Sequence, residues 1–215
     1  MPGFVDAHTH PIFAGTRQDE FARRIAGATY LEIMAAGGGI MSTVRTTRSA
    51  SLAELLAAAR PRLDRMLLNG TTTAEAKTGY GLTTADEYKS LQAIASLNIA
   101  HPLELVPTFL GAHAVPQEYA GRADEYVDLV VEEMLPAACE DAQLAPVFCD
   151  VFCDEGAFDL AQTRRILVAA KGRGLQLKVH ADEFAHLGAV ALASALGAVS
   201  AEHLVQTPRA ELKAV

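Results

Sequence analysis

Pro2-Gly3-Phe4-Val5-Asp6-Ala7-His8-Thr9-His10 reads as a short apolar strand that ends in two histidines at i and i+2. Residues two apart share a face of a strand, so His8 and His10 point the same way. Two imidazoles on one face at a strand end can hold a divalent metal ion and leave positions open. A single His-x-His is common by chance. Its weight here comes from the rest of the chain, where other histidines also fall at strand ends.

Working outward, residues 71–76 are rich in threonine and read as a second strand. Further strands are expected over residues 103–110, 147–153, 175–180 and 198–203. Helical sequence follows each one. Before the second strand, Thr29-x-x-Glu32 is a capping box for a helix over 30–36, which Gly37-Gly38-Gly39 ends. A phosphate loop would need a Lys-Ser/Thr after those glycines, and none follows. Ser51-x-x-Glu54 opens a helix to about residue 68 with a kink at Pro61, and Gly70 closes it. Thr84-x-x-Glu87 caps a helix to about residue 97, and a helical region over 122–142 breaks at Pro136. Asp159 caps a helix to about residue 171. One more helix covers 185–196, and Thr207-Pro208 opens the last.

Strands alternating with helices imply a parallel sheet, hence an α/β fold. The closed (β/α)8 TIM barrel and the open doubly wound sheet compete. No Gly-x-Gly-x-x-Gly follows the first strand, which weakens a dinucleotide fold, and polar strand ends suit a barrel mouth. A full barrel needs eight strands and about 250 residues. The expectation is therefore an incomplete barrel of about six βα units, one domain over residues 1–215, cut at both ends. Its open edges invite aggregation or pairing with a second chain as a homodimer.

Composition narrows the function. The net charge of −8 and the lack of a basic cluster argue against nucleic acid. No apolar run approaches the roughly 20 residues of a membrane span, and no signal peptide is evident. Cys139, Cys149 and Cys153 form no Cys-x-x-Cys and read as reduced thiols of a cytoplasmic protein.

In a barrel the strand ends meet on one face. In order they offer His8 and His10, then Lys77 to Gly81, His113, Asp154 with Glu155, His180 to Glu183, and Glu202-His203. Five of the seven histidines lie there; His101 and His186 read as surface residues. His8, His10 and His180 suit one zinc or iron ion, which can activate water near neutral pH. Glu183, three residues past His180, is placed to shuttle protons, and His203 to bond the attacking oxygen. His113 and His203 taken singly would read as satisfied core histidines. Arg17 could grip a substrate carboxylate and Tyr80 could donate its hydroxyl to the same ligand. The bland readings are a solvated arginine and a turn tyrosine.

These residues resemble a known family. The stretch from Gly3 to His10 resembles the metal-binding start of the amidohydrolase superfamily. Phe13-Ala14-Gly15-Thr16-Arg17, Gly37-Gly38-Gly39-Ile40, Lys77-Thr78-Gly79-Tyr80-Gly81-Leu82, Leu110-Gly111-Ala112-His113-Ala114, His180-Ala181-Asp182-Glu183 and Ser200-Ala201-Glu202-His203-Leu204 resemble its imidazolonepropionase family. The resemblance implies hydrolysis of the cyclic amide of 4-imidazolone-5-propanoate to N-formimino-L-glutamate in histidine degradation. It implies His8, His10 and His180 as metal ligands, Glu183 and His203 as the catalytic pair, and Arg17, Tyr80 and His113 as substrate-binding residues. No lysine ends the fourth strand, where dinuclear relatives carry a bridging one, so one metal is expected. The family's fourth ligand, an aspartate on a later strand, and its accessory β-sandwich domain are not in this sequence. Weak metal binding and low activity are the expectation. Glu202 stands where an aspartate is usual. The alternatives are another amidohydrolase such as a nucleobase deaminase, or an inactive remnant that binds only a ligand or partner.

Overall fold

The computed structural model describes residues 1–28, 32 and 38–213. The capping box and helix expected over 29–36, Glu32 excepted, lie outside the described residues. The six expected strands form, as β1 (Phe4–Asp6), β2 (Thr71–Lys77), β3 (Glu104–Ala112), β4 (Phe148–Cys153), β5 (Gln176–Ala181) and β6 (Ser200–His203). They make one parallel sheet in the order β1-β2-β3-β4-β5-β6. The order never reverses, so the sheet has no switch-point crevice and the doubly wound alternative falls.

The sheet is curled into a half-barrel. In a flat six-stranded sheet, β1 and β6 would stand about 24 Å apart, five spacings of about 4.8 Å. Here His8, just past β1, touches Glu202 of β6, and Lys178 Nζ of β5 donates to Ala7 O at 2.9 Å. The two edges therefore lean over a shared interior.

Alternation along the strands decides what faces each way. In β2, Ala74 and Ala76 are buried on the outer side, while Glu75 and Lys77 point inward. In β4 and β5, Cys149, Val151, Leu177 and Val179 lie among the buried apolar core, whereas Asp150, Lys178 and His180 meet inside. Helices cover the outer face. α1 (Gln18–Ile25) and α2 (Ile40–Ser49) border cavities at the strand ends, and those on the outer face are α3 (Leu52–Leu68), α4 (Thr84–Ala100), α5 (Ala123–Leu129), α6 (Leu135–Glu140), α7 (Leu160–Lys171) and α8 (Ala189–Leu196). α3 packs on β2, α4 on β3, α7 on β4 and α8 on β5. Side chains such as Leu55, Leu63, Leu91 and Ile94 are fully buried there, each contributing about 1.5–3 kcal/mol. No helix among the described residues is long and apolar enough to cross a membrane.

Several local expectations are corrected. α2 was not anticipated: its β-branched residues disguise it, and Gly39 at φ 74° stands at its N-terminus. α3 forms as expected behind the Ser51–Glu54 capping box, with Pro61 inside it. α4 is capped by Thr83, not Thr84, because Glu87 is drawn inward to other partners. At Pro136 the chain stays helical: a π-helical stretch, Val130–Met134, precedes α6 and absorbs the missing proline donor. α8 begins at Ala189, not 185, because Asp154 and Asp182 take the intervening backbone N–H groups. Thr207 donates its hydroxyl to Asp182 Oδ2 at 2.8 Å, and beyond it the described residues form only a 3-10 turn, Glu211–Lys213. His101 is buried rather than on the surface, held by Asp64 and by the Leu103 N–H.

Candidate metal centre and active site

The inward positions of the strands build an ionic floor. Lys77 is fully buried, with Nζ 2.6 Å from Asp150 Oδ2, 3.0 Å from Glu75 Oε1 and 3.1 Å from Glu202 Oε2. Lys178 Nζ lies 2.7 Å from both Glu75 Oε2 and Glu202 Oε1. Thr108 of β3, registered opposite Lys77, donates to Glu75 Oε1 at 2.5 Å. Burial opposes ionisation of Lys77, but Asp150 and Glu75 outweigh it and raise the ammonium's pKa. Burial also opposes ionisation of Asp150, yet His180 and Lys77 hold its carboxyl below the usual range. Glu202 is held down at about 2 by His8, Lys178 and Lys77, again against burial.

The imidazoles sit on this floor. His8, His10 and His180 bring ring nitrogens within 4.8 Å of one another. His10 Nε2 faces His180 Nε2 at 3.3 Å. His180 Nδ1 lies 2.8 Å from Asp150 Oδ2, and its backbone N–H donates to Asp150 Oδ1 at 3.1 Å. His8 Nδ1 contacts Glu202 Oε2. A carboxylate at Nδ1 favours a proton there and leaves Nε2 as a bare donor. Burial and the neighbouring rings push His10 well below the ordinary histidine range, which keeps it neutral, and its buried Nδ1 has no hydrogen-bond partner among the described residues. Neutral rings with facing lone pairs fit a divalent cation between them. Asp150, His180 and Glu202 also lie close enough together for an ion, but the ammonium of Lys77 already stands between those carboxylates.

The other expected residues surround the triad. His203 at the end of β6 lies within ring contact of His8 and His180, with centroids 5.3 and 5.1 Å away. Its Nε2 is 3.6 Å from Glu183 Oε2, and burial lowers its pKa. His203 and Asp182 both hold positive φ, 73° and 50°, a conformation uncommon outside glycine and one that Asp and His tolerate better than most residues. His113 stacks on His10 at 4.9 Å and is kept at Gly79 O, 3.0 Å away; burial drives its pKa down to about 3. Tyr80 is 5.3 Å from His113 and 5.8 Å from His10, centroid to centroid. Arg17 is exposed at the start of α1 and lines a cavity of about 390 Å³ with His113, Phe152 and Glu183.

Two carboxylates with no such role expected from the sequence hold the loops in place. Glu87, fully buried, accepts from the N–H groups of Gly79, Gly81 and Leu82 at 2.8–3.0 Å. A Cβ at Gly79 would stand 2.9 Å from His113 Nδ1 and Leu110 O, so only glycine lets the loop lie against that ring. Asp154, also buried, accepts from Glu183, Phe184 and Ala185 N–H groups and so sets where Glu183 stands. Glu75, Lys77, Asp150 and Lys178 could have been found as charged residues alternating with apolar ones inside strands.

Curated relatives named imidazolonepropionase match almost the whole chain. Those of Herpetosiphon aurantiacus and Chloroflexus aggregans are 57% and 59% identical over 213 and 210 residues, covering 97% and 94% of this chain. The protein of Symbiobacterium thermophilum is 58% identical over 205 residues. The chain spans about half the length of these relatives, 50%, 49% and 48%. No family model matches the chain. Among solved structures, an adenosine deaminase from Xanthomonas campestris with bound zinc superposes with a TM-score of 0.56 at 18% identity. It covers 99% of this chain and 46% of that one, a likeness of fold.

Proposed function

We propose that this chain, which belongs to the imidazolonepropionase family, carries the metal-binding half of a site that hydrolyses the cyclic amide C–N bond of 4-imidazolone-5-propanoate to N-formimino-L-glutamate. The observation that supports it most is the convergence of His8, His10 and His180 above a floor of fixed charge. One zinc or iron ion held by these three rings would lower the pKa of water toward neutrality and polarise the ring carbonyl.

The remaining steps fall to the chain's own groups. Glu183 takes the proton from the attacking water and returns it to the departing ring nitrogen. His203 bonds the oxygen on which charge develops; its contact with Glu183 at 3.6 Å couples the two. His113, kept neutral by burial, faces the ring of the substrate, while Arg17 and Tyr80 take the propionate. An acidic ligand suits the cationic cavity beside Tyr80 better than a nucleobase does.

Turnover measured by loss of the imidazolone ring's ultraviolet absorbance tests the reading. The zinc-loaded chain is expected to consume 4-imidazolone-5-propanoate slowly and guanine or cytosine not at all, and Glu183→Gln to abolish the activity. Nucleobase turnover, or undiminished activity of the Glu183 variant, would reject it.

A further inference from the structure

Beside Tyr80 lies a cavity of about 240 Å³ lined by Phe13, Thr16, Arg17, Thr43, Arg62 and Tyr80. It holds two guanidinium groups and no carboxylate among its lining residues. Elsewhere Arg48, Arg122 and Arg165 each pair with a carboxylate. Arg17 and Arg62 have no carboxylate partner among the described residues. Glu20 and Glu183 line a neighbouring cavity with Arg17 without reaching ion-pair distance.

The two arginines differ in how firmly they are held. Arg17 is exposed on a loop. Arg62 is half-buried on α3 and fixed from two sides. Its Nη1 donates to Pro11 O at 3.0 Å and Phe13 O at 2.8 Å, and its guanidinium lies 3.5 Å over the Phe13 ring. Its Nη2 and Nε have no protein partner among the described residues. Burial lowers the pKa of Arg62, and the charges of Arg17 and Arg62 both act on the Tyr80 hydroxyl. Desolvating the Arg62 guanidinium, which has no carboxylate to answer it among the described residues, opposes its charge. An anion in the cavity would supply the missing countercharge.

We infer that Arg62 is the fixed member of a two-guanidinium clamp for the substrate's carboxylate, with the exposed Arg17 as the member on its solvent side. The inference rests on the acidic-substrate reading above and adds to it a specificity residue from outside the strand ends. A prearranged guanidinium loses little freedom on binding, so Arg62 sets the depth at which the carboxylate stops, and with it the reach of the ring toward His113.

Calorimetric titration of the zinc-loaded chain with 3-(imidazol-4-yl)propanoate and with its uncharged amide tests this. The unsubstituted chain is expected to prefer the carboxylate. Arg62→Met should weaken carboxylate binding about ten-fold to a hundred-fold and leave the amide within about two-fold. Arg62→Lys, which keeps the charge but cannot reach both carbonyls and the ligand, should lose an intermediate amount for the carboxylate alone. It also carries the test if circular dichroism shows the methionine variant unfolded. Equal weakening of both ligands, or of neither, would reduce Arg62 to a brace for the 11–13 loop. A missing carboxylate preference in the unsubstituted chain would instead overturn the acidic-substrate reading itself.

Discussion

The interior of the half-barrel has two layers with opposite habits. The lower one, Glu75, Lys77, Asp150, Lys178 and Glu202, completes itself: each charge has an opposite charge within 3.1 Å. The upper one, His8, His10 and His180, is left with bare ring nitrogens that face one another. The lower layer fixes the upper through Asp150 at His180 and Glu202 at His8. Stability and function therefore separate by depth. Charges that answer each other hold the strands in register, and the imidazoles above them keep ring nitrogens that face one another.

The largest expected effect comes from breaking the lower layer. Lys77→Met leaves the carboxylates of Glu75, Asp150 and Glu202 without their central ammonium and should cost about 3–5 kcal/mol. The urea midpoint of the metal-free chain reads this, and a loss below about 1 kcal/mol would break the contrast between layers. Asp150→Asn tests the link between them. It keeps the shape but removes the charge at His180 Nδ1, and zinc affinity should fall about 10–100-fold. Unchanged affinity in a chelator competition would leave Asp150 with a structural role alone.

Acid should separate the layers in the metal-free chain. Burial holds His113 at about 3 against a normal 6.5, so on acidification the unfolded chain takes up a proton that the folded chain refuses. Stability then declines as pH falls from about 6.5 toward 3, and His10 adds to the same slope. Glu202, at about 2 against a normal 4.5, contributes stability that is present above pH 4.5 and lost as pH falls toward 2. Urea midpoints across pH should show His113→Asn flattening the upper window and Glu202→Gln the lower. Both windows surviving both substitutions would contradict the assignment.

The smallest effect should come from outside both layers. Ser51→Ala removes the capping box of α3, about 1 kcal/mol of stability, and should leave zinc affinity unaltered. A change in zinc binding there would mean that the layers are not set by the strands.

The residues of the candidate site were more legible in the sequence than those beneath them. His8, His10, His113, His180 and His203 were legible because each follows an apolar strand, and the parallel sheet brings strand ends together without further instruction. The strands themselves were legible from β-branched runs and turn residues. The ionic floor was harder to see. Thr-Thr-Thr-Ala-Glu-Ala-Lys over β2 looks like a half-exposed strand, because charged residues usually mark solvent and here they mark the inside. Loop clamps were hidden for a similar reason: Glu87 sits three residues after Thr84 and mimics a capping box, and only the fold turns it toward Gly79. α2 was missed because its valine and threonines lower helix propensity, and packing of Thr43, Val44 and Thr47 overrides it.

X-ray absorption on the zinc-loaded chain of 215 residues addresses the convergence of the imidazoles most directly. The account predicts a single zinc site with imidazole scattering at about 2.0–2.1 Å from three rings, falling to two rings or to no retained metal in His180→Ala. A chain that retains no zinc, or zinc bound by sulfur or without imidazole, would contradict it.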